Sequence, residues 1–121
     1  MELSPLAKTW LIDVDGTIVK HNGYLIDGED TILDGVKDFF DNLPNEDKII
    51  LLTARKGEFL NDLKTFLQKT GLRYDHILSD IPMGERILIN DIKPSGLKTA
   101  YAINKERDAD FMIKYNINPN I

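Results

Sequence analysis

The sequence predicts an α/β domain built on a mostly parallel sheet with helices on both faces. Two observations indicate this fold class. Short apolar runs typical of buried strands alternate along the chain with segments whose apolar residues recur at helical spacing. That order produces βαβ units and therefore a parallel sheet. The length of 121 residues suffices for one hydrophobic core but not two, so residues 1–121 are expected to form a single domain.

The first predicted strand is Trp10-Leu11-Ile12, which leads into Asp13-Val14-Asp15-Gly16-Thr17. It is short, apolar and bounded by a glycine turn. A carboxylate buried at the end of such a strand is costly unless a cation or hydrogen-bond donors compensate. We therefore expect Asp13 and Asp15 to carry chemistry, with Asp13 as a nucleophile and Asp15 as its proton-transfer partner. The alternative is a pair of turn-forming aspartates that cap a loop.

A β-hairpin and a helix are predicted next. Asn22-Gly23 lies between two short β-prone runs, Ile18-Val19 and Tyr24-Leu25-Ile26, which is a strong hairpin signal. This hairpin follows Asp15 directly, so it is placed to act as a flap. Apolar residues at helical spacing in residues 30–43 then predict a helix that ends before Pro44.

Further strands and helices follow in alternation. Ile49-Ile50-Leu51-Leu52 is a second buried strand that runs into Thr53 and Arg55. A second amphipathic helix is predicted around residues 59–67, closed by Gly71. The remaining predicted elements are a third strand at 74–78, a fourth at 87–89 that ends in Asn90-Asp91, a short fifth at 99–103 and a terminal helix at 106–115.

Polar side chains follow three of these strands. The carboxyl ends of parallel strands meet at one edge of the sheet, where ligands bind. That edge would hold Asp13 and Asp15, Thr53 and Arg55, and Asn90-Asp91 with Lys93 two residues later. Two carboxylates about 4 Å apart repel by roughly 4 kcal/mol at an effective dielectric constant near 20. Mg²⁺ would convert this repulsion into attraction, and these residue types suit phosphoryl transfer.

The motif Asp13-Val14-Asp15-Gly16-Thr17 resembles the DxDGT signature of the haloacid dehalogenase superfamily of phosphohydrolases. Thr53 resembles its second motif and Ile89-Asn90-Asp91 its fourth, and the order and spacing agree over roughly residues 9–103. The resemblance implies a three-layer Rossmann-like fold and a Mg²⁺-dependent phosphomonoester hydrolase that forms an aspartyl-phosphate on Asp13.

The same resemblance implies a role for each matching residue. Asp15 would protonate the leaving oxygen and then activate water, while its backbone carbonyl joins the Asp13 carboxylate as a metal ligand. Thr53 would hold a phosphate oxygen. Arg55 is a candidate for contact with the substrate or the transferring group.

The chain departs from the superfamily pattern at the third and fourth motifs. The third motif is a lysine before the fourth strand, but residues 79–84 carry Ile81 in that region, so Lys93 is the candidate replacement. At the fourth motif, either Asn90, through its amide oxygen, or Asp91 would contact the metal, and Asp91 is slightly favoured. Residues 17–30 and 55–74 are too short for the cap domain that many members carry. Members without a cap tend to act on larger substrates or to close their sites with a partner subunit, which makes a homo-oligomer plausible.

The amino-acid composition limits the partners, the cysteine chemistry and the compartment that we expect for this protein. A net charge of −5 argues against nucleic acid as a partner, and the absence of cysteine excludes a disulfide framework or thiolate chemistry. No apolar run approaches a membrane span, and residues 1–5 lack the features of a signal peptide, so we expect a cytoplasmic protein without membrane contact. The expected substrate is a small phosphorylated molecule, with a sugar phosphate as one example.

Two alternatives to a phosphatase remain. A catalytically weak or inactive protein could keep the fold and bind a phosphorylated ligand or partner. A receiver-type signalling domain is disfavoured. In that arrangement the acceptor aspartate ends a middle strand and an acidic pair lies earlier in the chain, whereas here the acidic pair ends the first strand.

Overall fold

Two parallel sheets and three helices make up the structure, a computed structural model that describes residues 1–121. In chain order the elements are β1 (Glu2–Leu3), β2 (Thr9–Asp13), α1 (Gly23–Ile26), α2 (Val36–Asp41), β3 (Lys48–Leu52), α3 (Gly57–Thr70), β4 (His76–Leu78) and β5 (Asn116–Ile117). The larger sheet has the order β2-β3-β4, and β1 pairs with β5 in the smaller one. The protein is therefore a small α/β domain with parallel strands, as the sequence predicts.

One face of the larger sheet carries the core. Trp10 pairs in register with Ile49, and Ile12 pairs with Leu51, so these four side chains point to the same face. Ile49 and Leu51 are fully buried, and they share one cluster with the buried residues of the helices: Val36 and Phe40 from α2 and Leu63 and Leu67 from α3.

The prediction of helices on both faces is wrong. The three strands lie side by side in chain order, and successive right-handed crossovers in one direction place their helices on the same face. The side chains of the opposite face do not join the core cluster; Leu11 remains 44% exposed and Leu78 49% exposed. The domain thus has two packed layers rather than three.

The central elements lie where the sequence predicts them. β2 and β3 cover the two apolar runs, and β4 is a shorter form of the third strand. The helix α3 ends at Gly71, whose φ of 72° is a left-handed conformation that glycine adopts without strain. These elements have strong local signals, which explains why they were predictable.

The predicted β-hairpin is absent, and the short helix α1 takes its place. A two-residue hairpin turn of this type needs positive φ at both central residues. Asn22 has φ of 55°, but Gly23 is not among the residues with positive φ and instead begins α1. The antiparallel contact forms further along, because the Lys20 N–H donates to the Thr31 carbonyl and Val19 bridges to Ile32.

The helix predicted over residues 30–43 is confined to α2. Gly35 stands before it with φ of 88°, so the chain turns sharply there instead of continuing a helix. The residues before Gly35 belong to the antiparallel contact and its exit turn, where the Leu33 N–H donates to the Ile18 carbonyl.

The predicted fourth strand does not form. Ile87 and Ile89 are 81% and 89% exposed and pair with no other strand. The following residues bond among themselves: the Asn90 side chain donates to Thr99, and the Lys93 N–H donates to the Leu97 carbonyl at 3.0 Å. Such local bonds offer the backbone an alternative to a sheet ladder.

The last two predicted elements are also absent. Residues 99–103 form no strand, and residues 106–115 form no helix. Instead this stretch contains a turn at residues 107–108 and contacts distant parts of the chain. The Phe111 N–H donates to the Asp34 carbonyl at 2.7 Å, and the Phe111 ring enters the core before β5 pairs with β1.

Candidate functional site

Asp13 and Asp15 meet at a polar cavity beyond the carboxyl end of β2. The cavity measures about 240 Å³, and its lining contains no apolar side chain. The lining residues are Asp13, Asp15, Gly16, Thr17, Lys105 and Arg107. Acidic and basic groups therefore face one space at the edge of the sheet where parallel α/β folds bind ligands.

The turn after β2 depends on Gly16. Its φ is 84°, and its N–H donates to the Val19 carbonyl at 2.8 Å while the Ile18 N–H returns to Val14 at 3.0 Å. A Cβ at this position would lie 3.1 Å from Cγ of Arg107, so a side chain would be both strained and crowded. The turn brings Thr17 back beside Asp13.

Two donors hold the Asp13 carboxylate. The Thr17 hydroxyl donates to Oδ2 at 2.9 Å, and Nη1 of Arg86 donates to Oδ1 at 3.0 Å. The Asp13 side chain is 32% exposed and that of Arg86 is 39% exposed. The carboxylate is thus oriented by neighbours yet open to a ligand in the cavity.

Arg55 joins Asp15 to Asp30 in a buried ion-pair cluster. Its Nη2 lies 2.6 Å from Oδ1 of Asp15 and 2.7 Å from Oδ1 of Asp30, while Nη1 donates to the second Asp30 oxygen at 3.0 Å. The side chains of Arg55 and Asp30 are 2% and 3% exposed. The ring of Tyr24 covers the guanidinium carbon at 3.7 Å, a cation–π contact from α1.

The surroundings of Arg55 keep it charged. Burial acts to lower the pKa of the guanidinium, but hydrogen bonds and charge attraction from Asp30 and Asp15 outweigh burial and raise the pKa above its usual value. Four of its five N–H groups are engaged by the two carboxylates. Arg55, predicted as a substrate contact, therefore fixes Asp15 and has at most one N–H left for a ligand.

Thr53 also contacts Asp15. Its buried hydroxyl donates to Oδ2 of Asp15 at 3.1 Å and accepts the Arg55 backbone N–H at 3.1 Å. The superfamily resemblance predicts instead that Thr53 holds a phosphate oxygen of the substrate. In the structure its proton is directed at Asp15.

Three predicted site residues are not brought to the cavity. Asn90 bonds Thr99, the Asp91 carbonyl accepts the Thr99 hydroxyl, and Lys93 lies in a turn closed by Gly96. All three are exposed, and none lines the cavity. Their placement at the site assumed a fourth strand, and without that strand nothing brings them to the edge of the sheet.

Three basic residues that the sequence prediction did not select take their place. Arg86 contacts Asp13, and Lys105 and Arg107 line the cavity. Arg86 had a weak signal, because it lies between the third and fourth predicted strands, where the superfamily carries its lysine. Lys105 and Arg107 had none, since only long-range contacts bring their segment to Gly16.

Two of the predicted metal ligands, Asp13 and Asp15, have oxygen atoms at the cavity that fit Mg²⁺. The Asp13 carboxylate faces the cavity, and the Asp15 carbonyl oxygen accepts no hydrogen bond, so both are free to ligate. Mg²⁺ is commonly held by one or two protein oxygens, retained waters and a substrate phosphate. Asn90 and Asp91 do not line the cavity, and no group of three or more acidic, histidine or cysteine side chains gathers in the structure.

Comparisons with known proteins identify no relative of this chain. No family model, curated protein or solved structure matches the chain. The longest helix, α3, has fourteen residues, and no helix meets the length and hydropathy that a membrane span requires.

Proposed function

We propose that this protein is a phosphomonoester hydrolase of the haloacid dehalogenase type that acts through an aspartyl-phosphate on Asp13. The observation that carries the proposal is the position of Asp13. Its oriented carboxylate ends β2, an edge strand of the parallel sheet, and faces a polar cavity lined by both acidic and basic side chains. A Rossmann-like parallel sheet of the kind found in that superfamily, without a cap domain and without the third layer, is part of the proposal, and the parallel order β2-β3-β4 supports it.

The first step is attack by Asp13 on phosphorus. A carboxylate oxygen forms the new P–O bond while the ester P–O bond breaks, and the leaving oxygen takes a proton from Asp15. Thr17 and Arg86 hold Asp13 in one orientation, which lowers the entropic cost of reaching the attacking geometry.

The second step is hydrolysis of the aspartyl-phosphate. The Asp15 carboxylate takes a proton from water, whose oxygen attacks phosphorus and releases Asp13 with inorganic phosphate. Contacts with Arg55 and Thr53 hold Asp15 in place for this role. To act as the acid in the first step, Asp15 must turn at least partly away from Arg55, because a protonated oxygen cannot keep those contacts.

The Asp13 carboxylate and the Asp15 carbonyl would hold Mg²⁺. The ion would supply positive charge to the oxygens of the phosphoryl group as it is transferred. The proposed substrate is a small phosphorylated molecule such as a sugar phosphate, and we expect the protein to act in the cytoplasm.

A phosphatase screen tests this function. Purified protein is incubated with sugar phosphates, nucleotides and an aryl phosphate, with and without Mg²⁺, and phosphate release is measured. The Asp13→Asn variant should lose activity. Asp62→Asn, the same change at an exposed and unpaired position in α3, should retain it. Turnover that survives in Asp13→Asn would exclude Asp13 as the nucleophile.

A second candidate is a non-catalytic protein that binds a phosphorylated ligand. It is favoured by the engagement of both acidic side chains with arginines and by the exclusion of Asn90 and Asp91 from the cavity. The two candidates differ in their response to beryllofluoride, which mimics an aspartyl-phosphate. Binding of beryllofluoride that requires Mg²⁺ and Asp13 favours the hydrolase, whereas binding of intact phosphate esters without turnover favours the second candidate.

A further inference from the structure

Residues 105–108 are anchored to the turn that follows β2. The Asp108 N–H donates to the Gly16 carbonyl at 2.9 Å, and the Asp108 carboxylate accepts the His21 backbone N–H at 2.7 Å. Asp108 adopts φ of 62°, so the chain reverses sharply at this contact. Because both anchors are backbone groups beside Asp15, the preceding basic residues have a fixed position relative to the catalytic pair.

Lys105 and Arg107 face the cavity without an acidic partner. No carboxylate oxygen lies within 4.0 Å of the charged nitrogens of either side chain, and the only hydrogen bond of Lys105 Nζ goes to the Glu106 carbonyl at 3.2 Å. The stem of Arg107 packs over Gly16. Arg55 and Arg86, in contrast, are engaged by Asp15 and Asp13. Lys105 and Arg107 are therefore free to bind an anionic ligand.

The charge of the site points to more than one anionic group on that ligand. The charged side chains that line the cavity, their ion-pair partners, and Asp30 as the second partner of Arg55, comprise four cations and three carboxylates: Arg55, Arg86, Lys105, Arg107, Asp13, Asp15 and Asp30. The site is thus positive in a chain whose net charge is −5. Mg²⁺ and a phosphate dianion carry equal and opposite charge, so together they leave this excess uncompensated.

We propose that Lys105 and Arg107 bind a second anionic group, a carboxylate or a phosphate, on the leaving group of the substrate. The substrate class is then a small, hydrophilic phosphomonoester with two anionic ends, which agrees with a cavity that has no apolar wall. This inference rests on the proposed hydrolase function. Lys105 and Arg107 act in specificity, while Arg86 acts on the nucleophile.

Matched substrate pairs test the inference. Glycerol 3-phosphate and 3-phosphoglycerate differ by a carboxylate, and fructose 6-phosphate and fructose 1,6-bisphosphate differ by a phosphate. In at least one pair kcat/KM should be about tenfold or more higher for the doubly anionic member, the effect of one charge-assisted hydrogen bond. The pair that shows the preference identifies the anionic group.

The double variant Lys105→Gln/Arg107→Gln should reduce this preference to less than about threefold, because kcat/KM should fall more for the doubly anionic member than for the singly anionic one. Lys98 is an exposed lysine that precedes residues 105–108 and makes no ion pair. Lys98→Gln should therefore leave the preference intact. An equal loss for both members would overturn the inference, because it would mean that the two cations hold the transferring phosphoryl group. A wild-type protein without preference in either pair would also overturn it.

Calorimetric binding separates failure of this inference from failure of the proposed function. If no ester is hydrolysed, the hydrolase proposal is wrong, and binding of 3-phosphoglycerate and fructose 1,6-bisphosphate to the wild-type chain is then compared with binding to the double variant. A loss of about tenfold or more in affinity for either ligand supports the doubly anionic ligand. Unchanged affinity for both overturns it.

Discussion

Arg86 donates to Asp13 at 3.0 Å although 73 residues separate them in the chain. The contact brings a cation to the carboxylate that ends β2. The superfamily resemblance predicts that cation at the third motif, where the chain carries Ile81, and makes Lys93 its candidate replacement. The structure gives the position beside Asp13 to Arg86 and leaves Lys93 in an exposed turn.

Replacement of Arg86 by Gln should therefore lower kcat by roughly 10- to 100-fold, less than the roughly 100- to 1,000-fold lost with a buried preorganised donor, because Arg86 is partly exposed. The pair is partly exposed, so the free energy of unfolding should change by less than about 1 kcal/mol. Steady-state kinetics and urea unfolding measure the two effects. Arg86→Lys should recover part of the lost kcat.

Lys93→Gln is the matched control, since it removes the same charge at the position that the sequence predicted. Its kcat should stay within about twofold of wild type. A large loss of kcat in Lys93→Gln with little change in Arg86→Gln would reverse the assignment and favour the sequence prediction.

The parts of the fold that could be predicted are those with strong local signals. β2 and β3 are apolar runs that end in turn residues, and α3 combines an amphipathic pattern with Gly71 at its end. The same local signals place Asp13 and Asp15 at the end of β2, where both line the polar cavity. All of these features are encoded within a few residues of one another.

The parts that could not be predicted depend on contacts that no local pattern contains. Ile87-Leu88-Ile89 has the composition of a strand, yet local bonds around Thr99 compete with pairing. Asn22-Gly23 has the composition of a hairpin turn, but only one of the two residues takes positive φ. Lys105 reaches the cavity because Asp108 bonds to Gly16, across 92 positions of sequence that no motif links.

The cluster of Arg55 with Asp30 predicts a large effect on stability. Arg55→Gln leaves the Asp30 carboxylate buried without its partner, which should lower the free energy of unfolding by about 3–5 kcal/mol. Adding Asp30→Asn to that variant should recover part of the loss, because it removes the unpaired charge. Urea unfolding of the two variants and the wild type measures this coupling.

The surface pair of Lys37 and Asp41 provides the comparison. Both side chains are more than half exposed and lie one helical turn apart, so Lys37→Gln should cost no more than about 0.5 kcal/mol. If Arg55→Gln were as mild as Lys37→Gln, the buried cluster would not contribute to stability in the way its geometry indicates.

Asp75 predicts a pH dependence of stability. Its carboxylate accepts the Ile49 N–H at 2.8 Å, and this hydrogen bond lowers the pKa of Asp75 below its ordinary value of 3.8; burial opposes the shift, and nearby positive charges, Lys48 first, reinforce it. A carboxyl whose pKa is lowered by folding stabilises the native state above its unfolded pKa, and the contribution is lost as pH falls through the folded pKa.

Asp75→Asn should therefore be less stable than wild type at pH 7, and the difference should shrink as pH falls below about 4. Thermal unfolding across that range measures the difference in Tm. Asp62→Asn, at an exposed position without a hydrogen-bond partner, should differ little from wild type at any pH. A difference between Asp75→Asn and wild type that stays constant down to about pH 3 would contradict the linkage.

Gly28 and Gly35 have nearly equal φ, so replacing each with alanine distinguishes the cost of backbone strain from the cost of a steric clash. Gly28 has φ of 80° and open space where a Cβ would be, whereas a Cβ on Gly35, with φ of 88°, would collide with the Phe111 carbonyl. Gly28→Ala should cost about 1–2 kcal/mol from strain alone. Gly35→Ala should cost about 1–3 kcal/mol more, because Phe111 must shift from a position fixed by its bond to Asp34.

The same substitution tests how the C-terminal segment reaches the cavity. Displacing Phe111 in Gly35→Ala should loosen the stretch that carries Arg107 and Asp108, so amide hydrogen exchange at Asp108 should accelerate relative to wild type and to Gly28→Ala. Residues of β3 should exchange as before. Equal unfolding free energies for the two alanine variants, with unchanged exchange at Asp108, would mean that the contact between Gly35 and Phe111 does not hold this segment against the site.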